Sequence, residues 1–310
     1  MLSLCDRLSG GLVGLLVGDA LGVPYEFLSA SEVPHRSEIE FVPPPRSPHP
    51  AHSVPPGTWS DDGAQALCLL ATLLECGTLD LQIFSRKLLQ WLRHAEFTPD
   101  NKVFDCGVQT RAALSNLAQG VPPALSGRSG EQDNGNGSLM RVLPLALWYT
   151  GSDEQLYADA RRQSLVTHGH LRSQLCCAFY SLWARELILG KSDSWDLAAA
   201  KFQKLGRSDA ATAKETDFIL DESHRASACG SGYVLNSLWS VRIAMQESDY
   251  ESVVRAAVAF GNDTDTTACI AGGLAGIRDG LASIPDRWRN SLRGRHIYEP
   301  LLQELLCARK

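Results

Sequence analysis

The sequence lacks the cross-links by which small secreted or metal-clipped domains hold themselves together. Nine cysteines are spread from Cys5 to Cys307, none in a CxxC pair, and the closest two are the adjacent Cys176 and Cys177. An odd number without metal-ligand spacing excludes a disulfide framework and a zinc site, and is expected of reduced thiols in a cytoplasmic protein. Long apolar runs are also missing. The stretch LVGLLVG at residues 12–18 is broken by glycine, is too short to cross a bilayer and follows a mixed Asp6-Arg7 pair, so neither a signal peptide nor a membrane span is expected. Positive charge is in deficit: 29 Lys and Arg against 35 Asp and Glu give a formal net charge of −6. General binding to nucleic acid or acidic membranes needs a basic surface that displaces counterions, so neither is expected as a partner. Alternating β-branched segments are lacking too, since the best candidate, Phe41-Val42, sits among prolines.

What is present is ordinary globular material with strong helical spacing. The 310 residues are 44% hydrophobic and 21% charged, enough for a large core. Apolar residues recur at intervals of three and four at Leu81, Phe84, Leu88 and Trp91, at Leu175, Phe179 and Leu182, and at Val234, Leu238, Val241 and Met245. Further helices are expected at 64–75, closed by Gly77, and at 253–260, 270–277 and 297–306. The fold class is therefore all-α. Eight of the 15 prolines lie between residues 28 and 57, which marks one long irregular loop and a candidate lid. No repeat or change of composition divides the chain, so residues 1–310 are expected to form a single domain; a monomer is expected, with nothing in the sequence that fixes the oligomeric state.

Two carboxylate clusters stand directly before apolar helices: WSDDG, with Ser60, Asp61 and Asp62, and GNDTDTTA, with Asp263, Asp265, Thr266 and Thr267. Capping a helix and complementing its dipole accounts for one such residue per helix. It does not account for four carboxylates or for alternating Asp and Thr, which offer hard oxygen ligands in several directions. If the two helix starts meet, four carboxylates repel unless cations neutralise them, and oxygen-only ligation selects Mg²⁺, Mn²⁺ or Ca²⁺ over zinc. A calcium EF-hand is excluded, because Ala268 and Leu274 stand where that loop needs glycine and a bidentate glutamate.

Other segments admit both a structural and a functional reading. GLLVGDALGVPYEF carries Asp19 and Glu26; Gly14, Gly18 and Gly22 there suit close helix packing, with Asp19 a structural carboxylate. GNGSLMR, from Gly135 to Arg141, offers successive backbone N–H groups suited to phosphate. THGH supplies His168 and His170, better placed for hydrogen bonds to substrate or backbone than for metal in an oxygen-ligand site.

In their order, GDALGVPYEF, SDD, GNGSLMR, THGH, GSGYV and GNDTDTTACIAGGLAG, these segments resemble the ADP-ribosylglycohydrolases over most of the chain. The resemblance implies a compact orthogonal bundle of many helices with two Mg²⁺ or Mn²⁺ ions in a cleft. It implies removal of ADP-ribose from a modified target, most simply an ADP-ribosylated protein. By motif, Ser60, Asp61, Asp62, Asp263, Asp265 and Thr266 match the metal ligands, and Glu26 matches a catalytic or gating glutamate. Asp105, in FDCGVQT, matches an aspartate beside the metals. Gly135, Asn136, Gly137 and Ser138 match a pyrophosphate loop, His168 a ribose or phosphate contact, and Gly232 with Tyr233 the adenosine side.

Two departures stand out. The commoner family sequence is T-D-D-T, whereas Ser60 and Gly63 occupy the outer positions here, and FDCGVQT lacks the usual double threonine. Gly63 loses a hydroxyl that could serve one metal position. Three readings stay open: a metal-dependent glycohydrolase, an ADP-ribose-binding relative without turnover, and a hydrolase of another ribosyl or phosphorylated small molecule.

Overall fold

The computed structural model describes residues 2–309. Fifteen α-helices succeed one another, and among the described residues no strand forms, only three isolated bridges between loops. In chain order the first helices are α1 (Leu4–Gly22), α2 (Asp61–Cys76), α3 (Leu81–His94), α4 (Val108–Ala118) and α5 (Pro123–Ser126). There follow α6 (Leu143–Trp148), α7 (Asp153–Leu165), α8 (Leu171–Ile188), α9 (Ser194–Leu205) and α10 (Ala210–Ile219). The last five are α11 (Val234–Ala244), α12 (Tyr250–Val258), α13 (Thr264–Asp279), α14 (Asp286–Ser291) and α15 (Arg295–Ala308). Gly77 ends α2 in the left-handed conformation, φ 69°, its N–H returning to Leu73 as a C-terminal cap. One continuous core runs from Leu8 to Leu305.

The centre of that core is the pair α1 and α13, and small residues let them touch. A Cβ on Gly10, Gly14 or Gly18 would lie 2.1, 2.4 or 2.1 Å from the carbonyl oxygen of Gly276, Gly272 or Ala268. At Gly22 it would lie 2.3 Å from the Cα of Asp265. These partners descend as the glycines ascend, so the helices are antiparallel and the end of α1 meets the start of α13. The expected glycine packing is thus present, and it sets the second acidic cluster beside Asp19 and Glu26. The apolar window of Leu4–Tyr25 has a mean hydropathy of 1.3, enough by length and composition to cross a membrane, yet 94% of it is buried inside the protein. A helix apolar on every face is what a central core position requires.

The proline-rich loop is irregular, as expected, and its middle is fastened down. Ile39 and Phe41 are buried. The Tyr25 hydroxyl bonds both the carbonyl and the N–H of Glu40, at 2.8 and 3.0 Å. The Glu40 carboxylate accepts from Arg255 at 2.7 Å and from the Trp288 indole at 2.5 Å. The segment is therefore a strap over the end of α1, and its far end is held as well, the Gly57 carbonyl accepting from the Arg293 N–H at 3.0 Å.

Candidate active site and metal centre

The first acidic cluster is set by a capping arrangement that spares its aspartates. Ser60 is the N-cap of α2, its hydroxyl accepting from the Asp62 N–H at 3.3 Å. Asp19, wholly buried on α1, takes the Ser60 N–H at 2.9 Å and the Gly63 N–H at 2.7 Å. The orphan donors of this helix start are thus satisfied from a neighbouring helix. Asp61 and Asp62 remain available for other work. At α13 the position is similar: Asp263 occupies the N-cap but makes no side-chain cap bond. Thr264 donates instead to the Gly22 carbonyl at 2.8 Å, and Thr267 to the Asp263 carbonyl at 2.7 Å.

The two helix starts do meet. The Thr266 hydroxyl lies 3.4 Å from Asp62 Oδ2, and Ser60 donates to the same oxygen at 3.0 Å. Asp62 Oδ1 and Asp265 Oδ2 are buried with no hydrogen-bond partner. Burial drives the carboxyls of Asp61, Asp62 and Asp265 well above their ordinary range, and the neighbouring carboxylates add to the effect. Asp263 is raised for the same first reason, less so because the Asn136 amide donates to it. Unpaired buried anionic oxygens on facing helices cost free energy unless a cation satisfies them. The oxygen-only donors therefore fit hard divalent ions, and the Glu26, Asp263 and Asp265 carboxylates offer atoms within 4.8 Å of one another.

A cleft of about 610 Å³ opens over this cluster. It brings together Glu26, Asp61, Asp105, Gly135, Asn136, Gly137, His168, Gly232, Asp263 and Thr266 in its lining. Ser60, Asp62 and Asp265 lie in the layer beneath. The glycine-rich turn is tied to the second cluster by Asn136, whose amide donates to Asp263 at 2.8 Å and to Ser237 at 2.9 Å. A side chain at Gly137 would come within 2.8 Å of the His168 ring, which explains the glycine. His168 is held by the Thr167 hydroxyl, 2.8 Å from Nδ1, and burial pushes its pKa down to about 3, so the ring is neutral. Beneath it, the buried Arg141 joins Thr167 at 2.8 Å to Gln65 at 2.8 Å, and Gln65 donates to Asp61 at 2.8 Å. One chain of hydrogen bonds thus links His168 to Asp61 across the floor of the cleft.

Some expected residues stand elsewhere. Ser138 is turned into the core, bonded to Ser164 at 2.8 Å, and does not line the cleft. Tyr233 is 38% exposed, with its hydroxyl accepting from Arg172 at 3.0 Å outside the cleft. Two N–H groups of the expected phosphate nest are already used, Gly135 on Gln109 at 2.8 Å and Asn136 on the Gly232 carbonyl at 3.0 Å. The Leu139 and Met140 N–H groups go to the Asn136 carbonyl at 2.8 and 3.1 Å, so Gly137 is the member of the turn that leaves an N–H to the cleft lining. His170 caps α8 through Nδ1, 3.1 Å from the Arg172 N–H. Gly63 has a local cause: a Cβ there would lie 2.8 Å from Leu16 and 2.9 Å from the Trp59 indole. The glycine makes room for Trp59.

Glu26 is buried, and its carboxyl is pushed up to about 7 by burial, against the pull of a hydrogen bond from His52. Asp105 adopts a left-handed backbone, φ 48°, and its Oδ1 accepts from the Cys106 N–H at 2.8 Å. Sequence reasoning missed His52, Gln109 and the Gln65–Arg141 link. A lone histidine among prolines and polar residues inside apolar helices carry no periodic signal.

Comparison with known proteins gives the family. A family model described as ADP-ribosylglycohydrolase matches residues 2–310. The ADP-ribosylarginine hydrolase Tri1 of Serratia proteamaculans (strain 568) is 30% identical over 289 residues, 93% of this chain and 75% of that protein. The ADP-ribosyl-[dinitrogen reductase] glycohydrolase of Rhodospirillum rubrum is 28% identical over 294 residues, 94% and 91% of the two chains. A solved structure described as an ADP-ribosylglycohydrolase-related protein complex superimposes with a TM-score of 0.81 at 31% identity, covering 100% of both chains. With its helix-start acids facing one another as the motifs require, and a family match spanning its length, the chain belongs to the ADP-ribosylglycohydrolase family.

Proposed function

We propose that the chain is a metal-dependent hydrolase that removes ADP-ribose from a modified protein side chain, with arginine the first acceptor to test. The observation that carries this reading is the pair of unpartnered buried oxygens, Asp62 Oδ1 and Asp265 Oδ2, on two facing helix starts. Ser60, Asp61, Asp62, Asp263, Asp265 and Thr266 would hold two Mg²⁺ or Mn²⁺ ions. Bound there, the ions would supply Lewis-acid chemistry, gripping ribose hydroxyls and lowering the pKa of a water.

The chain's own groups do the rest. The distal ribose lies between His168 and Asp61, and the turn at Gly137 takes the pyrophosphate, so remote binding energy positions the anomeric carbon. The bond from that carbon to the acceptor nitrogen breaks through a cation-like transition state, and water adds its oxygen to the carbon. Glu26 takes the water's proton and passes one to the leaving nitrogen. A carboxyl at about 7 can do both near neutrality. Asp105, on the same wall, is the second candidate for the proton. The arginine assignment rests on the Tri1 relatives, named as ADP-ribosylarginine hydrolases.

The test is incubation with targets ADP-ribosylated on arginine, serine or another linkage, with Mg²⁺, Mn²⁺ or chelator, followed by mass spectrometry. Free ADP-ribose released in a metal-dependent way supports the reading. Tight ADP-ribose binding without turnover on every linkage would move the chain to the binding-relative class, and a different released product to another hydrolase class. Gly63, which lacks the hydroxyl of the commoner family sequence, is the feature that favours a binding relative; the room it leaves for Trp59 gives it a packing cause as well.

A further inference from the structure

His52 meets Glu26 from outside the cleft lining. Its Nε2 lies 2.7 Å from Glu26 Oε2, and its side chain is only 17% exposed. The ring is flanked by Phe27 and Phe104, with centroids 6.0 and 5.2 Å away. It comes from the stretch of the strap between the anchored Glu40 and Gly57, and beside it lies a cavity of about 110 Å³ lined by Phe41, Pro50, His52 and Pro55 among others. Packing on that side therefore does little to place the ring. The Glu26 contact and the two aromatic flanks do that work.

Glu26 is also the residue common to two groups of ligand-type side chains, one with His52 and Asp105 and one with Asp263 and Asp265, each within 4.8 Å. A carboxylate placed among other carboxylates is repelled by them and needs a donor on its far side to keep it in place. His52 is the imidazole donor at that point, and no other side-chain hydrogen bond to Glu26 is present among the described residues. The neighbouring Phe27 holds a left-handed backbone, φ 67°, and donates its N–H to the Asn262 carbonyl at 2.7 Å. The main chain around Glu26 is thus fixed from the α13 side, while its carboxylate is fixed from the strap.

We propose that His52 is a positioning residue that holds the Glu26 carboxylate against the acidic cluster, so that the proline-rich strap takes part in catalysis through this one hydrogen bond. The inference rests on the proton-handling role assigned to Glu26 above. His52 touches neither the cleft nor the reacting atoms and acts through Glu26.

The experiment compares His52→Ala, His52→Gln, Glu26→Gln and the double variant Glu26→Gln/His52→Ala. Each is assayed for kcat and KM on a linkage that the wild type cleaves, for Mn²⁺ affinity by calorimetry, and for melting temperature. His52→Ala should lower kcat about tenfold or more, a part of what a general acid or base contributes. KM, Mn²⁺ affinity and melting temperature should change little. Glutamine carries an amide nitrogen at similar reach, so His52→Gln should recover most of the loss. In the Glu26→Gln background, His52→Ala should have no further effect. An unchanged kcat in His52→Ala, a lack of rescue by glutamine, or losses that multiply in the double variant would each overturn the proposal. A wild type that cleaves no linkage sinks the hydrolytic reading separately. The pairing is then decided by the crystal structure of His52→Ala: a displaced Glu26 side chain upholds it, and an unmoved one overturns it.

Discussion

A buried carboxylate oxygen without a donor, as at Asp62 and Asp265, costs stability in the metal-free protein and is the atom a hard cation would take. Asp62→Asn should therefore raise the unfolding midpoint measured in chelator, by an amount worth about 1–2 kcal/mol. The same change should abolish the rise on adding Mn²⁺ and reduce ADP-ribose release by about a hundredfold or more. Calorimetry with and without Mn²⁺ decides it; a variant that still gains the wild-type increment with Mn²⁺ would remove Asp62 from the ligand set. Gly63 calls for the opposite experiment. Restoring the family's commoner residue with Gly63→Thr drives a side chain into Trp59 and Leu16, which overpacking makes unfavourable by about 1–3 kcal/mol. Chemical denaturation should show that loss, and activity should not rise; a more active Gly63→Thr protein would mean that the missing hydroxyl matters after all.

Among the elements, the α1–α13 pair carries the site. Gly18→Ala and Gly10→Ala each push a methyl to 2.1 Å from a backbone carbonyl of α13, an atom that cannot swing aside. Both should cost about 3 kcal/mol. The two positions lie about 12 Å apart along the helix axis. Only Gly18 adjoins Asp19, which caps the start of α2. Mn²⁺ affinity should accordingly fall in Gly18→Ala and survive in Gly10→Ala, and equal losses in a side-by-side titration would contradict this. Helices with a full apolar stripe, such as α3, α8 and α11, were legible from their spacing. Helices α4, α6, α7, α9, α10 and α14 were not, because they are short or bury few side chains: α7 covers 13 residues but buries only Leu156, Tyr157, Ala160 and a few polar groups.

For the whole molecule, charge and metal are coupled through pH. Asp61, Asp62 and Asp265 are raised by burial, and Glu26 and Asp19 to about 7. A carboxyl raised on folding contributes stability that is full below its unfolded value and lost as pH rises through its folded value. Glu26 and Asp19 thus weaken the metal-free fold from the ordinary carboxylate range up to about pH 7, and Asp61, Asp62 and Asp265 act in the same direction. His168 acts oppositely: pushed down to about 3 from 6.5, it costs stability as pH falls below about 6.5. Cations compete with protons for the acids, so the increase in melting temperature caused by Mn²⁺ should be larger at pH 8 than at pH 5. Calorimetry in buffers of different ionisation enthalpy should also detect protons released on binding. The same increment at both pH values, with no proton release, would argue that these carboxylates are not the ligands.

The sequence by itself determined the fold class, the two acidic helix starts, the glycine stripe of α1 and the family. Each of these is a local pattern: apolar residues at helical spacing, ligand-type oxygens in a tight turn, small residues every fourth position. Only the tertiary structure decided which acids are free. Asp19 takes over the capping of α2 from another helix, Ser138 and Tyr233 turn away from the cleft, and His52 reaches Glu26 across 26 residues of chain. Those assignments depend on which groups become neighbours when α1 and α13 close on each other, and hydrogen-bond partners between distant segments leave no periodic trace along the chain.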